Sequence, residues 1–127
     1  MILSALLLSA CDTNGPEDDS DQDGPALTST SVTVQSDTLG LPGTLLVPDT
    51  NAAVPGVVVV HGSGPVDRDG PGSPPVYKEW STRMAQRGLA VLRYDKRTTQ
   101  PEATQADPRA LTFLDLVRDA VAAGILL

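Results

Sequence analysis

The chain has 127 residues, room for one small domain, and sixteen acidic against nine basic side chains give it a formal net charge of −7. The imbalance sits at the front, where residues 1–67 carry nine acids and no Lys or Arg, so the chain presents no basic face and nucleic acid is excluded as an expected partner. A single cysteine, Cys11, excludes a disulfide within the chain.

Residues 1–10, MILSALLLSA, are apolar but too short to span a bilayer as a helix. They resemble the apolar core of a secretory signal, and Leu8-Ser9-Ala10-Cys11 resembles the bacterial lipobox. That resemblance implies that residues 1–11 are a lipoprotein signal. Cys11 would carry the lipid, and the protein would sit exported at the bacterial cell envelope, on its periplasmic or extracellular face. One departure is that no Lys or Arg precedes the apolar run. Residues 12–31 are acidic, rich in Gly, Pro, Ser and Thr and nearly free of apolar side chains, which predicts a flexible tether. Within them Asp19, Asp21 and Asp23 match the first half of a calcium loop, D-x-D-x-D-G, but the twelfth position is Thr30 where the loop needs a bidentate Glu. The tether is the simpler reading, with calcium binding the weaker one.

Residues 32–127 read as the folded part. Val32–Gln35 and Leu39–Val47 predict an antiparallel pair at a sheet edge, with turn residues between them. A polar loop over Pro48–Pro55 leads to Val57–Val60, four consecutive valines between Pro55-Gly56 and His61-Gly62-Ser63-Gly64-Pro65. A short β-branched run bounded by turn residues predicts a central strand buried on both faces of a mostly parallel sheet. In such sheets ligands bind beyond the carboxyl ends of the strands, which makes the His61–Pro65 turn the first candidate site.

Ser73 followed by Pro74 predicts a helix start, and the helix runs to about Arg87, with Gly88 closing it. Val76, Tyr77, Trp80, Met84 and Ala85 share the face predicted to pack on the sheet, leaving Lys78, Glu79, Thr82, Arg83 and Gln86 on the other. Leu89–Tyr94 is the next strand, parallel to the valine strand across a right-handed βαβ unit. After a polar loop over 98–109, Thr112 and Asp115 form a capping box. Phe113, Leu116, Val117, Ala120 and Val121 then make the apolar stripe of a helix ending near Gly124.

The run VVVVHGSGPVDRDG, the Trp-bearing helix ending in QRGLAVLRYDKR, and TFLDLVRDAVAA together resemble the N-terminal half of a bacterial α/β-hydrolase, of the esterase and dienelactone-hydrolase-like group. The resemblance covers roughly residues 32–127. One departure is Thr98-Thr99, where that family has Gly and a small residue. The resemblance implies an α/β fold, hydrolysis of a small-molecule ester or related acyl compound, and no cofactor. It further implies that the backbone N–H groups of Gly62, Ser63 and Gly64 belong to an oxyanion-binding turn, with Ser63 the favoured donor. His61 would shape that turn, and Asp67, Arg68 and Asp69 would knit its loop together through charge pairs. Asp95 and Arg97 are expected to be structural.

His61 is the only histidine and does not occupy the position of that family's catalytic histidine. No G-x-S-x-G is present, and Ser63 has His61 where the motif needs Gly. The family's order of nucleophile, acid and base places all three after residue 127, so the 127 residues alone are expected to be inactive. A reading from another class is a non-catalytic surface lipoprotein, responsive to calcium through Asp19, Asp21 and Asp23.

Overall fold

The computed structural model describes residues 24–101 and 111–127. The expectations for Cys11 and for Asp19, Asp21 and Asp23 lie outside the described residues. Strands β1 (Leu27–Ser36) and β2 (Leu39–Pro48) form an antiparallel hairpin, in register from Leu27↔Pro48 to Ser36↔Leu39. Asp37 takes the turn with φ 51°, a left-handed conformation that Asp tolerates better than most residues. β1 begins five residues inside the segment predicted as tether, so that boundary is corrected. Thr28, Ser29, Thr30 and Ser31 are polar but strand-compatible, and β2 supplies a partner for each.

β2 pairs antiparallel with β4 (Ala90–Tyr94), and β4 pairs parallel with β3 (Gly56–Val59), giving the order β1-β2-β4-β3. Among the described residues the valine strand is therefore at an edge of the sheet rather than at its centre. Only Val59 is buried, at 8% exposure. Val57 and Val58 are half-covered, and Val60 is exposed. The sequence pattern records how a strand can be covered; among the described residues no further strand pairs with its outer edge.

Among the described residues the sheet carries one helix on each face. Successive residues of β4 point to opposite sides. Val91 joins Leu46, Val59 and Ala85 beneath α1 (Val76–Gln86), with Tyr77, Met84 and Leu89 at the margin. Leu92 and Tyr94 join Val34, Leu41 and Ala123 beneath α2 (Phe113–Leu126).

The sequence misplaces the start of α1 and one of its packing residues. The helix begins at Val76, with Pro75 rather than Ser73 at the N-cap and no side-chain cap. Carbonyls of the preceding loop take its first N–H groups instead: Pro71 accepts from Val76 at 3.0 Å, and Asp69 from Tyr77 and Lys78 at 3.0 and 3.1 Å. The face against the sheet is Tyr77, Ser81, Met84 and Ala85. Ser81 is small, and its hydroxyl is returned to the Tyr77 carbonyl at 2.7 Å, so it sits where the helix meets the sheet. Trp80 lies on the flank, 55% exposed, its ring 5.9 Å from that of Tyr77. At the other end Gly88 (φ 90°) donates to Ala85 and Leu89 donates to Met84, the paired bonds of a Schellman ending.

α2 opens with the predicted capping box, the Thr112 N–H and hydroxyl both donating to Asp115 at 2.8 Å. It continues past Gly124 to Leu126. Its facing is rotated from expectation: Asp119 and Ala123 are buried against the sheet and Leu116 and Ala120 are half-buried, while Phe113, Val117 and Val121 point outward, Phe113 being 78% exposed. The cause is Arg97. Its guanidinium, 7% exposed, makes a bidentate pair with Asp119, Nε to Oδ2 at 2.8 Å and Nη2 to Oδ1, and reaches Ser36 Oγ at 3.4 Å. Once that pair is inside, the neighbouring apolar stripe is turned away from the sheet.

Candidate functional site

β3 ends at Val59, and the chain turns through His61-Gly62-Ser63-Gly64-Pro65 beside the carboxyl end of β4. Parallel strands end on the same side, so the loop after β4, Asp95-Lys96-Arg97, meets this turn directly. Lys96 Nζ donates to the carbonyl oxygens of Gly62 at 2.7 Å and Gly64 at 3.0 Å, and the Lys96 side chain is buried by doing so. The Gly62 N–H donates to the Tyr77 hydroxyl at 3.2 Å, so both backbone groups of Gly62 are engaged and its amide is not open to a ligand in this conformation. Among the described residues, no hydrogen bond is made by the amides of Ser63 and Gly64. The turn thus presents two adjacent N–H groups on small residues, an arrangement able to receive an anion or a developing oxyanion.

His61 is wedged between two tyrosine rings, edge-on to Tyr94 at 5.0 Å and to Tyr77 at 5.9 Å. Burial, chiefly, pulls its pKa below the usual histidine value. The positive charge of Lys96 adds to this, against opposing contributions from the Tyr94 backbone, Asp95 and Asp67. The ring is therefore biased toward its neutral form. Its Nε2 has no hydrogen-bond partner among the described residues. His61 also forms one wall of an open apolar cleft of about 350 Å³, with Val60, Phe113, Val117 and Val121.

The following loop is held at three points. Asp67 Oδ1 accepts the N–H groups of Asp69 at 3.0 Å and Gly70 at 2.9 Å. Asp95 accepts the Arg68 N–H at 2.9 Å and faces its guanidinium at 3.4 Å. Asp69 pairs with the buried Arg93 of β4 at 3.1 Å. Arg68 and Asp69 are thus in charge pairs, whereas Asp67 works through backbone amides. The loop ends on Gly70 (φ 81°), where a side chain would drive Cβ to 2.6 Å from the Tyr77 ring. Burial and the charge of Asp119 push the Tyr94 hydroxyl up to about 12, so it stays a neutral phenol.

The structure brings together every predicted residue from His61 to Asp69 and adds two that sequence reasoning missed. Tyr77 reads as packing because its ring does pack; its hydroxyl also accepts the Gly62 N–H. Lys96 carries a weak signal, a lysine between Asp95 and Arg97 right at a strand end, but nothing in the sequence says that it is buried. Among the described residues, no three His, Cys, Asp or Glu side chains converge as a metal centre requires, and no helix is long and apolar enough to cross a membrane.

Over 88 residues the chain is 39% identical to Esterase EstD of Thermotoga maritima, a match covering 66% of this chain and 20% of that protein. The chain thus aligns with about one fifth of that relative's length. No family model and no solved structure matches the chain.

Proposed function

We propose that the chain supplies the oxyanion-binding part of an esterase of the α/β-hydrolase type, acting on small carboxylic esters or related acyl compounds. The observation that carries this reading is the 39% identity to Esterase EstD, and the mixed α/β sheet with helices on both faces is compatible with it. The unengaged amides of Ser63 and Gly64 supply the chemistry. When a nucleophile adds to an ester carbonyl, negative charge gathers on the former carbonyl oxygen. Fixed N–H groups aimed at that position lower the barrier by about 3–4 kcal/mol per donor. Ser63 acts here through its backbone, and its hydroxyl is not the nucleophile. The 127 residues contain no G-x-S-x-G, so the nucleophile, acid and base of the proposed reaction lie outside them.

A chimera tests the reading. Replacing the aligned 88-residue stretch of Esterase EstD with that of this chain is expected to keep p-nitrophenyl acetate hydrolysis. Ser63→Pro, which removes the amide donor, is expected to lower kcat about 100-fold. A folded chimera that loses hydrolysis while retaining its serine-directed labelling would reject the assignment.

We also propose that the protein is held at a bacterial envelope membrane by a lipid on Cys11, on the strength of Leu8-Ser9-Ala10-Cys11. Expressed in a bacterium, it should sediment with membranes, and Cys11→Ser should release it or stall its processing. Equal membrane association of the two proteins would reject lipidation.

A further inference from the structure

We infer that Lys96 is the positioning residue of the Gly62–Gly64 turn, holding the Ser63 amide toward the reacting oxygen, an assignment that rests on the esterase reading above. The argument begins with the peptide unit. The bond joining Gly62 to Ser63 is planar, and in its trans form the C=O and N–H point in opposite directions. Lys96 Nζ grips the Gly62 oxygen at 2.7 Å, so the Ser63 N–H is aimed away from the ammonium and out of the turn. The second grip, on the Gly64 oxygen at 3.0 Å, falls on a peptide unit that ends in Pro65 and has no N–H to lose. The two grips bracket Ser63. The Gly62–Ser63 and Gly64–Pro65 peptides cannot rotate without breaking a charge-assisted hydrogen bond, and the Ser63–Gly64 peptide is strung between them. The ammonium also draws electron density through the Gly62–Ser63 peptide, making that N–H a stronger donor.

Two further features separate this from ordinary loop packing. Lys96 is a buried cation, 8% exposed, and among the described residues no carboxylate lies within ion-pair distance of it. Asp95, its neighbour in sequence, is committed to Arg68. Burying a charge against two carbonyls alone is strongly unfavourable when the aim is only to fasten a loop. Tyr77 meanwhile takes the Gly62 N–H, which leaves Ser63 as the first amide of the turn available to substrate.

The test has two arms. In the full 127-residue chain labelled with nitrogen-15, Lys96→Met should broaden or double the Ser63 and Gly64 amide resonances while those of Val91 and Leu92 in β4 stay put. Unchanged Ser63 and Gly64 resonances would overturn the inference. In the esterase chimera, with active sites counted by fluorophosphonate, Lys96→Met should lower kcat about 10- to 100-fold while KM changes less than about twofold. The oxyanion contact exists only in the transition state, so its loss appears in kcat. Lys96→Arg, which keeps a charged donor, should recover part of the loss. Should Lys96→Met fail to fold, Lys96→Gln takes its place, with an uncharged amide that keeps two N–H donors. A kcat unchanged in the variant of an active chimera overturns the role of Lys96 alone. A folded wild-type chimera without hydrolysis overturns the esterase reading, and this assignment with it.

Discussion

Gly70 and Gly88 share a left-handed backbone and differ in what surrounds it. Around Gly88 an added Cβ meets nothing within 4 Å, so Gly88→Ala adds only conformational strain, about 1–2 kcal/mol. At Gly70 the same Cβ would stand 2.6 Å from the Tyr77 ring and 3.1 Å from its backbone nitrogen, so strain and collision combine. Gly70→Ala should cost about 3 kcal/mol or more and displace the first turn of α1. Urea midpoints of the two variants give the comparison, and equal losses would contradict it. His61 makes a prediction about pH. Its folded pKa lies below 6.5, so from about pH 6.5 downward the unfolded chain takes up a proton that folded His61 declines. This contribution to stability is complete above about pH 6.5 and is lost as pH falls through the folded value. His61→Gln should flatten the stability profile over that interval, read by denaturation at a series of pH values. The identity of such residues was legible: a lone histidine after a strand and glycines at turn positions are visible in any reading. Their partners were not, because Tyr77 and Lys96 are 15 and 34 positions from Gly62 and meet it only through the βαβ crossover.

At the scale of elements, α2 shows where periodicity stops being informative. Its capping box and extent are written in its sequence, and Thr112 and Asp115 do what their spacing predicts. Its orientation is not, because the apolar stripe competes with Asp119 for the sheet. Arg97 decides the contest from another segment, 22 residues away. The hydrogen bond from Arg97 to Asp119 is also the main reason that the guanidinium holds its proton more tightly than usual. Asp119→Ala should therefore cost about 3 kcal/mol, since it leaves the buried guanidinium with only its longer contacts to Asp115 at 3.9 Å and Asp37 at 4.0 Å. Arg97→Met with Asp119→Leu should recover most of that loss. Thermal unfolding of the single and double variants checks both statements. A single variant as stable as the parent would show that solvent reaches the pair. Asp115, on the same helix, is held below the usual carboxylate range by the Thr112 N–H and hydroxyl, so its capping contribution fades only as acid protonates it.

For the molecule as a whole, the hairpin at one edge and the parallel β3-α1-β4 unit follow from the sequence, because strand pattern and crossover handedness leave few arrangements. Which strand is central does not follow, since Val57–Val60 reads as covered on both faces while β3 is an edge of the described sheet. The result is a lopsided surface. Val60, Phe113, Val117, Val121 and Ile125 are all exposed, and all but Ile125 line one cleft. Apolar surface gathered in this way binds hydrophobic dyes and promotes association. The 127-residue chain should enhance anilinonaphthalenesulfonate fluorescence and self-associate as its concentration rises. Val117→Glu with Val121→Glu should suppress both effects and move stability by less than about 1 kcal/mol. Strong destabilisation by that pair would mean that the outward face of α2 is packed.

The Arg97–Asp119 pair also sets an order of events during synthesis. Arg97 leaves the ribosome 22 residues ahead of Asp119, after the four described strands have been made. Until Asp119 follows, a nascent sheet that closes over Arg97 leaves the guanidinium with only the long contact to Asp37, at 4.0 Å, and one that stays open keeps it hydrated. The face of the sheet under α2 therefore has reason to remain open to water, and to chaperones, until α2 has emerged.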